Sequence, residues 1–194
     1  MTARPSIVVS GPPAIGKTTL ARALARDLGM RHVSGGDVLK EMAAGHGYNP
    51  SGDDWWDTED GMRFLREREL DHDFDRRLDE RLLRMFEEGG VIVTSYTLPW
   101  LARPDTGIKI WLDGTHTSST KRMQYRDSVS TQQAYEITRK RYDRNHALYK
   151  EIYGFEFGRD MDVFDHVIHT DNLTAEQVVK AVKEAILDAA PDMQ

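Results

Sequence analysis

The chain has 194 residues, a formal net charge of −6 and no cysteine. This length predicts one domain with a sizeable core, and the lack of cysteine excludes disulfides, thiolate metal ligands and cysteine nucleophiles. The acidic balance argues against a nucleic-acid-binding protein, and we expect neither a signal peptide nor a membrane span. Together with the lack of cysteine, this fits a cytoplasmic protein.

Short apolar runs alternate with amphipathic stretches along the chain. The predicted strands are residues 6–10, 32–34, 91–95, 108–114 and 163–170. The predicted helices are residues 17–28, 36–45, 63–88, 117–127, 132–152 and 174–190. This alternation predicts an α/β fold, a three-layer doubly wound parallel sheet. The loops after Ser10, Ser34 and Ser95 should then meet at the carboxyl edge of the sheet, where ligands bind in such folds.

The stretch "GPPAIGKTT", residues 11–19, lies between the first predicted strand and the first predicted helix. Gly11, Gly16, Lys17 and Thr18 fit the P-loop pattern G-x-x-x-x-G-K-[ST]. Glycines let successive backbone N–H groups turn toward phosphate oxygens, and the helix that follows adds the positive end of its dipole. The alternative is an ordinary turn rich in glycine and proline.

The P-loop pattern assigns roles to individual side chains. Lys17 should reach the β- and γ-phosphates of ATP, and Thr18 should ligate Mg²⁺. The predicted ATP-binding residues are Gly11, Pro12, Pro13, Ala14, Ile15, Gly16, Lys17, Thr18 and Thr19.

Four stretches that together span most of the chain carry a family likeness. They read "GPPAIGKTTLARALARDLG", "HVSGGDVLKEMA", "RNHALYKEIYG" and "VFDHVIHTDNLTAEQVV". In these stretches the sequence resembles the nucleoside monophosphate kinases, and most of all the short archaeal-type cytidylate kinases. The resemblance implies the P-loop NTPase fold and phosphoryl transfer from ATP–Mg²⁺ to a nucleoside monophosphate, CMP or dCMP, giving a diphosphate and ADP.

The resemblance also implies how the single domain is divided. The core would comprise residues 1–45, 89–121 and 155–194, with a small monophosphate-binding segment at about 46–88 and a short lid at about 122–145. Within that segment, residues 46–61 are rich in Gly, Pro, Asn and Asp, which predicts a loop. A monomer and a homodimer both fit the sequence.

Arginines at the start of the implied lid suit a reaction that needs positive charge on the moving phosphoryl group. Arg122 and Arg126 lie four apart, on one helical face, where the family places lid arginines. The alternative is a solvated charged face, which is common on helices. Together with the P-loop lysine and one arginine further along, these are the predicted catalytic residues: Lys17, Arg122, Arg126 and Arg139.

The stretch "RKRYDRN", residues 139–145, carries the second group of arginines. Arg139 and Asp143 match an arginine and an aspartate that contact the monophosphate in cytidylate kinases, and Arg141 and Arg144 are further candidate phosphate contacts. The alternative for Arg139 and Asp143 is a simple i,i+4 ion pair. Both interpretations can hold at once.

The loop after the second strand starts the monophosphate site in the family. Ser34, Asp37 and Lys40 match its positions, and Lys40 can offset phosphate charge without the bidentate fork of an arginine. Asp37 has an alternative role as the N-cap of the second helix. Asp71, Asp75 and Arg76 also resemble a family pattern near the acceptor, although we expect a solvated helix face there.

The sequence departs from the family after the third strand. Relatives usually carry an acidic residue, then Gly, then Arg, whereas this chain has Thr94, Ser95 and Tyr96. The missing charges favour two alternatives: a P-loop kinase for another small acceptor, or a catalytically weak ATP-binding sensor.

Aromatic residues and histidines offer less specific signals. Trp55 and Trp56 are able to stack on a planar acceptor, but we expect them to anchor their loop on the core, because Trp is usually largely buried. The seven histidines show no metal-ligand spacing, so we expect structural roles for them.

Overall fold

The computed structural model describes residues 4–52 and 55–190, with a five-stranded sheet at its centre. The strands are β1 (Ile7–Ser10), β2 (Arg31–Ser34), β3 (Val91–Thr94), β4 (Ile108–Asp113) and β5 (His166–His169). They lie in the order β2-β3-β1-β4-β5, and every neighbouring pair is parallel. The ends of the predicted core, residues 1–3 and 191–194, and residues 53–54 of the predicted monophosphate-binding segment lie outside the described residues.

Helices cover both faces of this sheet. They are α1 (Lys17–Leu28), α2 (Gly35–Gly45), α3 (Glu59–Leu70), α4 (Asp73–Glu88), α5 (Leu98–Leu101), α6 (His116–Asp127), α7 (Thr131–Tyr153) and α8 (Ala175–Ala189). On one face, α1 and α8 pack through residues such as Leu24 and Val182. On the other, α2, α4 and α5 pack through residues such as Leu82 and Leu98. These three layers confirm the predicted doubly wound α/β fold.

The central position of β1 brings the predicted ligand-binding loops together. Val9 pairs with Thr94 of β3, and Ser10 pairs with Trp111 of β4. Because the strands are parallel, the loops after Ser10, Ser34 and Thr94 leave the sheet at the same edge, which confirms their predicted meeting. In the described ranges, no helix has both the length and the apolar character needed to cross a lipid bilayer.

The prediction of one helix over 63–88 is wrong, because the chain forms two helices, α3 and α4, in this region. Asp71 adopts an extended backbone, and its carboxylate accepts a hydrogen bond from the backbone N–H of Asp73. A short polar side chain that binds the backbone in this way competes with helix continuation. The break turns Leu70 out to solvent, whereas Phe74, at the start of α4, remains buried.

Trp55 anchors the loop that precedes α3, as we expected for the tryptophan pair. Its side chain is buried and contacts the rings of Trp56 and Phe64, with centroid distances of 4.7 and 5.8 Å. The indole N–H of Trp55 has no hydrogen-bond partner among the described residues, so packing holds this side chain. Trp56 is half-buried.

We expect Trp55→Ala to lower the free energy of unfolding by about 3–5 kcal/mol, because removing a buried aromatic ring leaves a cavity. Trp56→Ala should lower the free energy of unfolding clearly less, because the Trp56 side chain is only half-buried. Chemical denaturation followed by circular dichroism measures both. Equal losses for the two variants would contradict the assignment of Trp55 as the anchor.

Candidate active site

The P-loop, residues 11–19, passes very close to strand β4. Gly11 has a φ of +147°, and a Cβ atom at this position would lie 2.5 Å from the carbonyl oxygen of Leu112. A side chain at residue 11 would therefore require the loop to move away from the sheet. Gly16 also has a positive φ, 107°, at the N-cap of α1. The loop is thus held against the sheet, directly before the N-terminus of a helix that favours anions.

Lys17 folds back over this loop. Its Nζ donates hydrogen bonds to the carbonyl oxygens of Gly11 and Pro12, at 2.8 and 2.7 Å. Nζ also lies 4.5 Å from the centroid of the Tyr96 ring, within the range of a cation–π contact. Burial lowers the pKa of Lys17, and the nearby charge of Arg141 lowers it as well, outweighing the opposing effect of Tyr96.

Tyr96 and Arg141 complete this group from two other elements. Tyr96 follows β3, and Arg141 lies on α7. Burial acts to raise the pKa of the Tyr96 hydroxyl, but the charges of Lys17 and Arg141 together lower it. Two cations and a phenol therefore converge at the carboxyl edge of the sheet, an arrangement suited to an anion such as a phosphate.

Arg141 was predicted only as a further phosphate contact, but it lies nearer the P-loop than the other arginines of this stretch indicate. It follows Thr138, which is buried on α7, by three residues and so lies on the same side of the helix; the burial that reveals this is a tertiary feature. Arg139 and Asp143 instead form an ion pair at 3.0 Å with both side chains more than half exposed, which confirms the i,i+4 interpretation. Their contact with a monophosphate stays a prediction, as does that of Arg144, which shares one open surface cleft with them.

The two predicted lid arginines differ in their surroundings. Arg122 donates a hydrogen bond from Nη2 to the carbonyl oxygen of Thr170, which follows β5, at 2.9 Å. Its Nη1 is buried and lacks a hydrogen-bond partner among the described residues, so the solvated-face alternative is wrong for Arg122. Arg126 is half exposed and forms an ion pair with its neighbour Asp127.

The predicted acceptor residues lie around the start of α2. The Ser34 hydroxyl accepts a hydrogen bond from the backbone N–H of Asp37 and is the N-cap of the helix. The alternative role of Asp37 as that cap is therefore wrong, and its carboxylate is exposed in the first turn. Lys40 donates from Nζ to the carbonyl oxygen of Gly52 at 2.6 Å and lies 6.0 Å from the ring centroid of Trp56.

A buried polar cluster joins α3 and α4. Arg68 binds Asp75 through two hydrogen bonds, and both side chains are buried. The expected solvated face is therefore wrong for Asp75, because a charged side chain enters the interior when a well-placed partner offsets its charge.

Asp79, one turn further along α4, is a buried carboxylate that the sequence pattern does not single out. Its carboxylate accepts hydrogen bonds from the hydroxyls of Thr97 and Tyr153, the latter at 2.6 Å. Burial raises the pKa of Asp79 to about 6, against the opposing effect of these bonds. The carboxylate thereby connects α4, the loop after β3 and the end of α7.

In the part of the chain that the structure describes, no group of three or more His, Cys, Asp or Glu side chains is arranged to hold a metal ion. His32 and His116 contact the hydroxyls of Thr94 and Thr138. These contacts agree with the expected structural roles.

A P-loop between a parallel strand and a helix, in a sheet with this strand order, defines the P-loop kinase class of fold. Shikimate kinase from Acinetobacter baumannii shares it, with a TM-score of 0.59, 18% identity and coverage of 96% of this chain and 95% of that one. A gluconokinase from Sinorhizobium meliloti gives a TM-score of 0.55 at 17% identity, covering 97% and 95% of the two chains. At such identities the likeness shows the fold alone.

Sequence comparison is more specific. The profile of the cytidylate kinase-like family matches residues 6–172, and the chain belongs to that family. Cytidylate kinase from Pyrobaculum aerophilum is 32% identical over 174 residues, which is 90% of this chain and 88% of the relative. Cytidylate kinase from Ignicoccus hospitalis is 29% identical over 184 residues, 93% of this chain and 98% of the relative.

The raised pKa of Asp79 predicts a pH dependence of stability. The native state holds this proton more tightly than the unfolded chain, so the contribution is complete below about pH 4 and is lost as the pH rises through about 6. A pKa of about 6 against the ordinary aspartate value of 3.8 corresponds to about 3 kcal/mol. Asp79→Asn should therefore gain stability relative to the wild type as the pH rises across this window.

The measurement is urea denaturation of both proteins between about pH 4 and pH 7. Asp75→Asn is the matched control, because it leaves the buried Arg68 without its charge partner and should destabilise at neutral pH by about 3–5 kcal/mol. Parallel pH profiles for the wild type and Asp79→Asn would show that Asp79 does not titrate in this range.

Proposed function

We propose that the chain transfers a phosphoryl group from ATP to a nucleoside monophosphate, CMP or dCMP, and releases a nucleoside diphosphate and ADP. The observation that carries the proposal is the P-loop held against β4 at Gly11, with the ammonium of Lys17 folded over it at the ligand-binding edge of the sheet, where the charge of Arg141 also acts on Lys17. Membership of the cytidylate kinase-like family supports the choice of acceptor. The lack of cysteine supports a cytoplasmic location.

Residues 11–19 form the proposed ATP site. The backbone N–H groups of the loop and the N-terminus of α1 bind phosphate oxygens, and Lys17 moves from the carbonyl groups of Gly11 and Pro12 to the β- and γ-phosphates. Nucleotide phosphates are better partners for the ammonium group than neutral carbonyls, because they carry full charge.

Magnesium fits this site as an ion carried mainly by the nucleotide. Thr18 is exposed in the first turn of α1, so its hydroxyl is open to a ligand. The described residues offer no cluster that would hold a metal alone, which agrees with the preference of Mg²⁺ for phosphates and water over protein cages. When bound, Mg²⁺ neutralises charge on the β- and γ-phosphates.

These positions lead us to assign acceptor binding and the supply of positive charge to different parts of the chain. Residues 46–88 and the start of α2 take the acceptor, while Arg122, Arg126 and Arg141 supply positive charge from α6 and α7 in the proposed lid, residues 122–145. The proposed acceptor contacts are Ser34, Asp37, Lys40, Arg139, Asp143 and Arg144. Arg139, Asp143 and Arg144 line one open surface cleft, and contact of Arg139 with a phosphate would compete with its ion pair to Asp143.

A second candidate function is phosphoryl transfer to another small acceptor in the same site. The observation that favours it is the uncharged sequence Thr94-Ser95-Tyr96 at the end of β3, where the family resemblance leads us to expect an acid and an arginine. An ATP-binding sensor with weak catalysis is the third candidate, and the same uncharged sequence motivates it.

The deciding test is ADP release from ATP–Mg²⁺ with CMP, dCMP, UMP, AMP, GMP or no acceptor. We expect turnover with CMP or dCMP, and Lys17→Ala should abolish it while circular dichroism shows an intact fold. Turnover that the lysine variant retains would overturn the P-loop assignment. Binding of ATP without acceptor-dependent turnover would favour the second or third candidate.

A paired substitution tests the arginines of α7. We expect Arg141→Ala to lower kcat about 10²- to 10³-fold, the typical effect of removing one donor from a developing charge. Arg139→Ala is the matched control on the same helix; it should keep kcat much closer to the wild type and mainly raise the KM of the acceptor. Steady-state kinetics with both substrates varied distinguish the two, and the reverse pattern would place Arg139 at the reacting phosphate instead.

A further inference from the structure

Tyr96 occupies the position where the positive charges of the site meet. The charged groups that act most strongly on its hydroxyl are Lys17 and Arg141, and both are cations. Arg141 also lowers the pKa of Lys17, which is the sign of repulsion between them. Like charges held close together in a partly buried site are stabilised when anions lie between them. With Lys17 on the phosphates of ATP, the acceptor phosphate would lie between Arg141 and the Tyr96 hydroxyl.

The ring of Tyr96 is held in place by the core. It packs edge-on against Phe157 at a centroid distance of 5.6 Å and lies 6.4 Å from the ring of Tyr149. Its backbone carbonyl oxygen accepts a hydrogen bond from the Ser10 hydroxyl at the end of β1, at 3.4 Å. The direction of the hydroxyl is therefore set by packing, and little ordering is needed when a ligand binds.

Tyr96 also lies between the P-loop and the elements proposed to take the acceptor. On one side it contacts Lys17. On the other side its neighbour Tyr149 interacts with Arg68 of α3 and Asp75 of α4. A group placed between the donor loop and residues 46–88 is positioned for the acceptor end of the transfer.

We propose that the Tyr96 hydroxyl donates a hydrogen bond to the phosphate of the acceptor nucleotide, and that it is a binding residue for the acceptor rather than for ATP. The inference rests on the proposed function. The hydroxyl contributes a directional hydrogen bond without charge. The positive charge beside the phosphate comes from Arg141 on α7, since Thr94, Ser95 and Tyr96 at the end of β3 are uncharged. Acceptor binding then depends on the proton of Tyr96, because a phenolate would repel the phosphate.

Tyr96→Phe tests this directly, since it removes the hydroxyl and keeps the ring beneath Lys17. We expect the KM of CMP to rise about tenfold or more, the usual effect of losing a hydrogen bond to a charged group, with the KM of ATP nearly unchanged. Tyr142→Phe is the matched control, because the Tyr142 hydroxyl donates to the carbonyl oxygen of Phe157 within the protein. The control should keep both KM values.

The pH profile separates binding from a structural role. Because the charges of Lys17 and Arg141 lower the pKa of Tyr96, the KM of CMP for the wild type should begin to rise with pH before the ordinary tyrosine range is reached. Two titratable groups face the ring besides Arg141. Burial raises the pKa of Tyr149 well above its usual value, so it stays protonated, whereas the pKa of Lys17 is lowered. Lys17 remains in Tyr96→Phe, so a rise in KM that comes from this lysine would persist in the variant. The KM of Tyr96→Phe should be flatter over this range.

The outcomes distinguish this inference from the proposed function. CMP turnover with an unchanged CMP KM in Tyr96→Phe, or an equal rise in the KM of ATP, would overturn the role of the hydroxyl and leave the kinase assignment in place. Absence of acceptor-dependent turnover in the wild type would overturn both.

Discussion

The close approach of the P-loop to strand β4 is the constraint on which the rest of the site depends. The carbonyl oxygen of Leu112 lies so close to Gly11 that no Cβ atom fits at this position. The absence of a side chain therefore lets the loop turn directly over the edge of the sheet. Lys17 then reaches back to the same loop, and its ammonium lies where β3 and α7 also present side chains. Because β1 is the central strand, groups from neighbours on either side converge on this lysine.

The distribution of charge around Lys17 has an unusual source. The strand that ends at Thr94 contributes a neutral phenol, Tyr96, and the second cation, Arg141, comes from helix α7. If α7 belongs to a lid, as we propose, the positive charge at the reacting phosphate depends on the position of that lid. Charge supplied from a helix in this way would couple catalysis to lid closure, a common arrangement when water must be excluded during transfer.

Two carboxylates one turn apart on α4 have different hydrogen-bond partners. Asp75 meets the guanidinium of Arg68, whereas Asp79 accepts hydrogen bonds from the hydroxyls of Thr97 and Tyr153, and burial raises its pKa. These bonds connect residues 46–88 with the loop after β3 and with the end of α7. The proposed acceptor segment is therefore tied to the core by directional polar contacts in addition to apolar packing.

The sequence by itself determined the alternation of strands and helices, the P-loop and the family, because each depends on local pattern: apolar runs, glycine spacing and the capping residues of single elements. It did not determine that residues 63–88 form two helices. The spacing of apolar residues does not show that the Asp71 carboxylate accepts a hydrogen bond from the backbone N–H of Asp73, which competes with continuation of the helix. Tertiary structure alone decided that Arg141, Tyr96 and Asp79 face the interior, while Arg139 faces solvent. Those outcomes depend on contacts between residues that are far apart in the chain, and the sequence pattern of a single segment does not reveal such contacts.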